Sequence, residues 1–481
     1  MTRPPFVAAG VLPALAAALL AACAVGPDYQ RPAQSLPAQY PAGTDAPGSA
    51  DAAGAEVPAQ WWALYHQPEL DRLVAQALER NRDIEQAVAR VEQADALARQ
   101  AGAALLPRVD LGANAGRARV GPLTFPPNGA TGNQYQLGLS AAFELDFWGK
   151  LRRSREAARA SLLASTYARD TVNLSVAALT AQAWFGLRAL DEQLVLTRNT
   201  LQTREEGLRL LNLRLQGGTS SQLDIEQAEG LRSTSAVLLR DLQRQRALLQ
   251  TQLGVLTGQL DVALPEASLA GLPVPPQPPA GLPSTLLERR PDVRSAEQQL
   301  TAANARIGAA RADQLPSVSL TGSLGFESAE LGDLLKSPSR IWSIGAGLAQ
   351  PLFDGGQRAA RTDQAIAAHR EVQGAYRGVV EDAFKDVADA LANLQAAKES
   401  QDDLARADRA AANALKLAQS RYDVGYSGHL DLLDAQRTAA AAQLELVRNR
   451  QVQLSASVDL FRALGGGWRA PGVNGEAVSA R

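Results

Sequence analysis

At 481 residues, 46% of them hydrophobic and 5% aromatic, the chain is long enough for two or three ordinary domains and too apolar for a disordered one. Its 48 basic and 50 acidic residues leave a formal net charge of -2. They are dispersed, so the electrostatic footprint of a nucleic-acid binder is missing and no nucleic acid is expected as a partner.

In chain order, Arg3 precedes an apolar run from Phe6 to Ala22 that ends in "LAAC" at the only cysteine, Cys23. The pattern is similar to a bacterial lipoprotein signal, with residues 1–22 a signal peptide rather than a permanent membrane helix. No later apolar run approaches the roughly 20 residues that a spanning helix needs. The resemblance implies cleavage before Cys23 and acylation of its thiol and new amino group, and several acyl chains make a stable anchor. Ala24 is not the aspartate that would favour inner-membrane retention. Residues 23–67 then form an acylated, extended N-terminal segment. The competing reading is a plain signal peptide with an incidental cysteine. A single cysteine excludes an internal disulfide in any compartment.

Aligned with itself, the chain contains one plan twice, which fixes the architecture before any local assignment. "NRDIEQAVARVEQADALARQAGAALLPRVDL" from Asn81 faces "RPDVRSAEQQLTAANARIGAARADQLPSVSL" from Arg290 at an offset of 209, and Gly149 faces Gly356 at 207. The repeats cover residues 68–268 and 284–465, joined by the proline-rich linker 269–283 and followed by a tail, 466–481. Each begins with a helix, over 68–104 and 284–313, ended by Leu-Pro. Alternating patterns over 108–119, 134–147, 317–327 and 341–353 predict four strands separated by turn-rich loops.

Two proline-free stretches, 150–216 and 357–424, predict helices of about 100 Å at 1.5 Å per residue. Leu404, Ala407, Ala411, Leu415, Ala418 and Tyr422 step by three or four, and so does the series from Leu231 through Leu238, Gln245 and Gln252 to Leu256. Such spacing is a coiled-coil seam with small and polar members. Four strands cannot close a membrane barrel, because lipid leaves the polar groups of open edges unsatisfied. A cyclic homotrimer would supply twelve strands, each long enough to cross when tilted.

"CAVGPDYQRP" at Cys23, "QWWALYHQPELDRLVAQALERNRDI" at Gln60 and "LPSTLLERRPDVRSAEQQLTAANARIGAARADQLPSVSL" at Leu282 resemble the acylated TolC-like outer-membrane factors, and "LLERRPDVRSAE" is specific to their NodT-type branch. The resemblance implies an α+β membrane protein built as a trimer. A twelve-stranded barrel in the outer membrane, four strands per chain, would be continuous with a long periplasmic α-helical barrel. Its function would be an exit duct of a tripartite efflux system, passively conducting what an inner-membrane pump of the RND type expels through a periplasmic adaptor (membrane fusion protein). No cofactor, metal or enzymatic reaction is implied; partners are outer-membrane lipid, the homotrimer, adaptor and pump. A duct for protein secretion would use the same architecture. A lipid-anchored periplasmic adaptor or scaffold would share the helices but would not need the strands.

The resemblance also places two glycine-bearing turns at the periplasmic end, Gly218, Thr219, Ser220 and Ser221 in the first half and Gly425, Tyr426, Ser427 and Gly428 in the second, as candidates for adaptor docking. Leu430, Asp431 and Asp434 fall on positions that line the closed entrance, Tyr422 on one implicated in holding it shut, and Asp224 on the first-half counterpart of Asp431. The i, i+3 spacing puts Asp431 and Asp434 on one helix face, and threefold symmetry would gather six carboxylates and a ring of leucines. Ion selection and acid sensitivity would follow. Asp431 could equally serve the positive end of its helix. Gln227 stands opposite Asp434, and Ser427 stands where some relatives place arginine, which removes a familiar partner for Tyr422.

His66, His369 and His429 match no metal spacing, although His429 would add protonatable charge at the tip. No GxSxG elbow, P-loop or HExxH helix occurs. Trp148, Trp342, Phe125 and Phe143 would suit an interfacial belt or ordinary packing, and Trp61 and Trp62 would begin the first helix.

Overall fold

In the computed structural model, which describes residues 25–34, 36–37, 39–41, 57–119, 131–269, 271–275, 277 and 286–469, the alternating segments become one antiparallel sheet. Cys23, Phe125, the signal segment and most of the linker's proline run lie outside the described residues. The strands are β1 (Arg108–Arg119), β2 (Thr131–Leu145), β3 (Ser317–Ser328) and β4 (Arg340–Ala349), paired in that order. β4 ends earlier than its alternation predicts, because Pro351 has no N–H for a ladder.

The register sorts the side chains by face. Leu111, Leu139, Leu324 and Trp342 stand in one row across the four strands, and Asp110, Ser140, Ser323 and Ser343 in the next. With successive residues pointing to opposite sides, one face is apolar across its middle, with Arg117, Arg119, Asn133 and Arg340 at the end near the hairpin loops, and the other is polar or small apart from Ile341. The two hairpins share one register: shifted by the repeat offsets, Arg108 opposite Ala142 becomes Ser317 opposite Ala349, the observed pair.

The helix expected over 68–104 is two, α1 (Pro68–Arg80) and α2 (Arg82–Ala103). Asn81 between them is extended; its Oδ1 accepts from Asp83 N at 2.9 Å, capping α2, and its Nδ2 donates to Leu256 O at 3.0 Å. Trp61 and Trp62 belong to a separate 3₁₀ turn, Trp61–Tyr65, rather than to the first helix. The second-half helix likewise divides at Arg290 into a single turn, Leu286–Arg289, and α5 (Pro291–Ala312). The proline-free stretches are unbroken as α3 (Lys150–Gln216) and α6 (Gln357–Asp423), each 67 residues. They are followed by α4 (Gln222–Thr257) and α7 (His429–Ala463). Along α4 the seam drifts: Gln245 and Gln252 are exposed and Leu253 is buried in place of the latter.

The chain divides into two compact units that cut across the repeats, each drawing segments from both. The first, from residues 1–33, 90–166 and 295–377, holds the sheet. Here the segment after Cys23 is strapped down: Val25 N donates to Trp148 O, Arg153 pairs with Asp28 at 2.6 Å, and Arg31 grips Glu297 through two bonds of 2.6 and 2.8 Å. Gly26, at φ +119°, lies so close to Gly308 that a Cβ would sit 2.4 Å from the latter's Cα. Trp148 donates its indole N–H to Pro316 O at 2.7 Å, so packing accounts for it, whereas Trp342 is exposed.

The second unit, from residues 34–89, 167–294 and 378–481, centres on Trp61 stacked on Phe461 and Tyr65 against Phe185. The linker does not begin as a free tether, since Leu269 and Leu272 are buried in this core. Arg188, 1% exposed, donates to Pro265 O and pairs with Asp191, which Arg246 holds from the other side at 2.6 Å. Replacing Gly308 by alanine should loosen the strap, because its Cβ would meet Val25 O at 2.9 Å, whereas Gly112→Ala meets nothing. Limited proteolysis checks this, with faster cleavage near Val25–Arg31 expected only in Gly308→Ala.

Candidate functional site

Both long helices end in the same way. Gly218 and Gly425 take φ of 75° and 78°, the left-handed conformation that glycine adopts without steric cost. Thr219 N then donates to Arg214 O, and Tyr426 N to Arg421 O, each at 2.8 Å and five residues back, the longer bond of a Schellman-type stop. The turns are one backbone motif used twice, as the sequence predicts.

Their exits differ. In the first, Ser221 caps α4: its Oγ accepts from Asp224 N, and the Asp224 carboxylate accepts from Ser221 N at 3.0 Å and Ser221 Oγ at 2.7 Å. The capping box holds the Asp224 carboxyl below the usual carboxylate range, chiefly through the Ser221 hydroxyl. In the second, the cap is Gly428, with no side chain to offer. Asp431, at the position corresponding to Asp224, is left with no hydrogen-bond or ion-pair partner among the described residues. Asp434, one turn on, accepts from Arg437 at 2.6 Å. Arg437 is legible in the sequence as an i, i+3 partner, and it offsets half of the charge expected from the two acids.

Tyr422 and Arg214 supply a link that local sequence reasoning missed. Arg214 Nη1 donates to Tyr422 Oη at 2.8 Å, and its guanidinium carbon lies 5.1 Å from the ring centroid, within cation–π range. The arginine that Ser427 fails to supply is thus found in the first half of the same chain. The repeat aligns Arg214 with Arg421, and nothing in that alignment sets it beside Tyr422.

His429, the first residue of α7, packs tilted against Tyr422, with ring centroids 5.3 Å apart and planes at 49°. Both imidazole nitrogens are buried without a hydrogen-bond partner, as is the Ser427 hydroxyl. Burial pushes the His429 pKa below its ordinary value; Asp224 opposes this and Arg214 adds to it. A cavity of about 210 Å³ opens beside the pair, lined by Leu211, Arg214, Leu231, Tyr422, His429 and Leu432. At its other end Arg204 donates to Leu231 O at 2.8 Å and to the Ser235 hydroxyl, tying α3 to α4. Leu430 is 64% exposed, and Val424 and Tyr426 are exposed beside it. No group of metal-ligating side chains occurs among the described residues.

Residues 73–259 and 282–466 match a family model described as outer membrane efflux protein. The chain is 37% identical over 464 residues to the toluene efflux pump outer membrane protein TtgF of Pseudomonas putida, covering 93% of this chain and 95% of that one. It is 35% identical over 473 residues to outer membrane protein OprJ of Pseudomonas aeruginosa, covering 97% of each. Its structure superposes with a TM-score of 0.81 on the open state of the Neisseria gonorrhoeae MtrE outer membrane channel, at 33% identity over 93% of this chain and 99% of that one. The outer-membrane channel OprN gives 0.84 at 29% identity, with 93% of this chain and 100% of that one covered.

The difference between the two exits can be reversed. Gly428→Ser, at φ -72° and ψ 163°, should complete a capping box with Asp431 and stabilise the start of α7 by about 1 kcal/mol. Hydrogen exchange of the Leu430 to Leu432 amides should slow; unchanged protection would show that the cap fails to form.

Proposed function

We propose a gated exit duct for this chain, which belongs to the outer membrane efflux protein family and is an outer-membrane efflux channel. The family transports and does not catalyse. The finer reading is a homotrimer with a twelve-stranded barrel. A sheet with one apolar and one polar face suits lipid outside and water inside, and its unpaired edges β1 and β4 run in opposite directions, as a continuous antiparallel barrel requires. Acylation of Cys23 fits the strap: Val25, two residues on in the sequence, is bonded to Trp148 in the turn that follows β2. The turns Gly218–Ser221 and Gly425–Gly428 would receive a periplasmic adaptor and, through it, an RND-type inner-membrane pump, in keeping with relatives named as parts of efflux pumps.

The observation that carries the gate is the bond between Tyr422 and Arg214, which ties the second-half helix to the first half in each chain. With the link made, Leu430 and Asp431 would converge on the threefold axis, with Asp434 behind them and Asp224 retained in its cap. An exposed hydrogen bond of this kind contributes about 0.5–1.5 kcal/mol. Tyr422→Phe should therefore raise the open population roughly two- to tenfold per link by the same measure, and Asp431→Asn should lower cation selectivity without disturbing the trimer. Planar-bilayer conductance of the acylated protein reads both. A Tyr422→Phe channel that conducts like the wild type would remove the latch.

Acidification should open the duct through His429, which faces Arg214 on α3, Asp224 on α4, and Tyr422 with Asp423 beyond it on α6. Its pKa is depressed in the packed tip, so its share of the closed state's stability is fully present above the ordinary histidine value of about 6.5 and is lost as pH falls below it. Asp224, also depressed, keeps its cap until pH falls below the ordinary aspartate value of about 3.9. Conductance between pH 7 and 5 should rise in the wild type and stay flat in His429→Gln; equal rises would assign the response to other groups.

A further inference from the structure

The charges of the sheet are sorted by face and by end. Of the charged residues in the four strands, Arg108, Asp110, Glu144 and Glu327 lie on the polar face, where Arg108 pairs with Asp110 at 2.9 Å and Glu327 accepts from Gln134 at 2.8 Å. The others are Arg117, Arg119 and Arg340, all on the apolar face and all at the end near the hairpin loops. That end of the face therefore carries only cations, while its opposite end closes on Val109, Leu145, Val318 and Leu348. The three arginines are exposed, and their guanidinium groups have no ion-pair or hydrogen-bond partner among the described residues. The β1–β2 loop, 120–130, lies outside those residues, and its sequence "VGPLTFPPNGA" holds no acid. In the β3–β4 loop Lys336 holds Asp333 and adds a further cation, with Glu330 as that loop's other acid.

Next to the arginines the face is aromatic. Phe326 stands opposite Arg340, Trp342 follows Arg340 on the same side of β4, and Tyr135 follows Asn133, the partner of Arg117. The repeat sets these rows level, because the offsets that relate the hairpins turn Arg117 opposite Asn133 into Phe326 opposite Arg340, the observed pair. Along β2 the apolar run from Tyr135 to Leu145 measures about 33 Å, or about 25 Å across a membrane when tilted by about 40°, the height of an outer-membrane barrel's apolar band. The arginines fall just beyond it, at the level of lipid headgroups. They also lie at the end of the sheet opposite to the one from which α3 and α6 leave, so with those helices in the periplasm they face the outer leaflet.

From this we infer that the rim of Arg117, Arg119 and Arg340 binds the phosphates of a phosphorylated glycolipid of the outer leaflet, whose acyl chains lie along the apolar face beneath; the inference rests on the barrel proposed above. Guanidinium forks match phosphate oxygens in charge and in bidentate geometry. The aromatic row supplies the amphipathic boundary between headgroup and acyl chain. Because the cations stand on both hairpins, a headgroup with more than one phosphate gains contacts that a single phosphodiester does not.

The test titrates the full acylated protein in detergent with diphosphorylated lipid A, with lipid A stripped of its phosphates and with phosphatidylglycerol, reading bound lipid by native mass spectrometry. Diphosphorylated lipid A should bind the wild type and bind the combined Arg117→Gln, Arg119→Gln and Arg340→Gln variant about tenfold or more weakly. Arg108→Gln, on the polar face at the other end of β1, should bind like the wild type. Equal binding by the combined variant overturns the rim, and equal binding of the stripped lipid overturns the role of phosphate. Phosphatidylglycerol binding as tightly as lipid A, or displacement of lipid A by millimolar inorganic phosphate, overturns the assignment to a glycolipid in favour of any anionic lipid or a free anion. If the combined variant does not fold, Arg117→Gln and Arg340→Gln are titrated singly, and no weakening in either overturns the rim. The barrel reading is checked separately in the wild-type background, by quenching of a fluorophore on Leu324→Cys with nitroxide-labelled lipid. Its absence would show that the apolar face does not meet lipid, and would remove the premise rather than the rim.

Discussion

A backbone hydrogen bond cannot be left open in lipid, and this constraint organises the chain above the level of any single residue. The sheet has an apolar face running unbroken from Val109 to Leu348, which water would not tolerate, and two bare edges, which a bilayer would not. Neither problem is solvable by one chain. In the barrel proposed above, further copies would close the edges while lipid covers the apolar face, and the polar rows of serine, glutamine and glycine would surround the interior. The strap over residues 25–31 belongs to the same solution: Gly26 pressed on Gly308, and Arg31 on Glu297, fix the N-terminal segment at the foot of the strands.

The helical part answers a different problem, since alanine-rich seams bury little apolar surface per turn. Two dense points compensate. One is the aromatic cluster of Trp61, Tyr65, Phe185 and Phe461. The other is ionic. Arg290, within the "LLERRPDVR" stretch, binds Asp292 at 2.6 Å, Asp386 at 3.0 Å and Ala463 O at 3.2 Å, so one guanidinium joins the start of α5, the middle of α6 and the end of α7. Its desolvation is offset by these partners together, and loss of any one acid leaves a buried cation less compensated. Arg290 therefore acts as a structural clamp within this stretch.

Much of this was legible without coordinates, and for physical reasons. Absence of proline fixed α3 and α6 to within a residue, and period-two alternation located the four strands, because both signals are local. The interruptions were not: Asn81 breaks a helix by bonding to Leu256, 175 residues away, and Leu269 is held in a core that its proline-rich surroundings do not announce. At the tip, Gly218, Gly425 and the counterparts Asp224 and Asp431 could be read from the repeat. The partner of Tyr422 could not, because Arg214 reaches it across the pseudo-symmetry rather than along it.

That departure from symmetry bears on how a duct could open. Duplication yields two hairpins with the same backbone stops, the same strand register and, at the outset, the same stiffness. A gate needs unequal halves, one to serve as a fixed frame and one to move. The first turn has the features of the frame: Ser221 and Asp224 close a capping box, and Arg204 ties α3 to α4. In the second turn, glycine replaces the capping serine, Asp431 has no partner among the described residues, and His429 is packed, its imidazole nitrogens without hydrogen bonds among them, against the tyrosine that binds back to the frame. Fewer local bonds at the start of α7 lower the cost of moving it, and concentrating its restraint in the Tyr422–Arg214 link makes that restraint breakable by a single event at the tip.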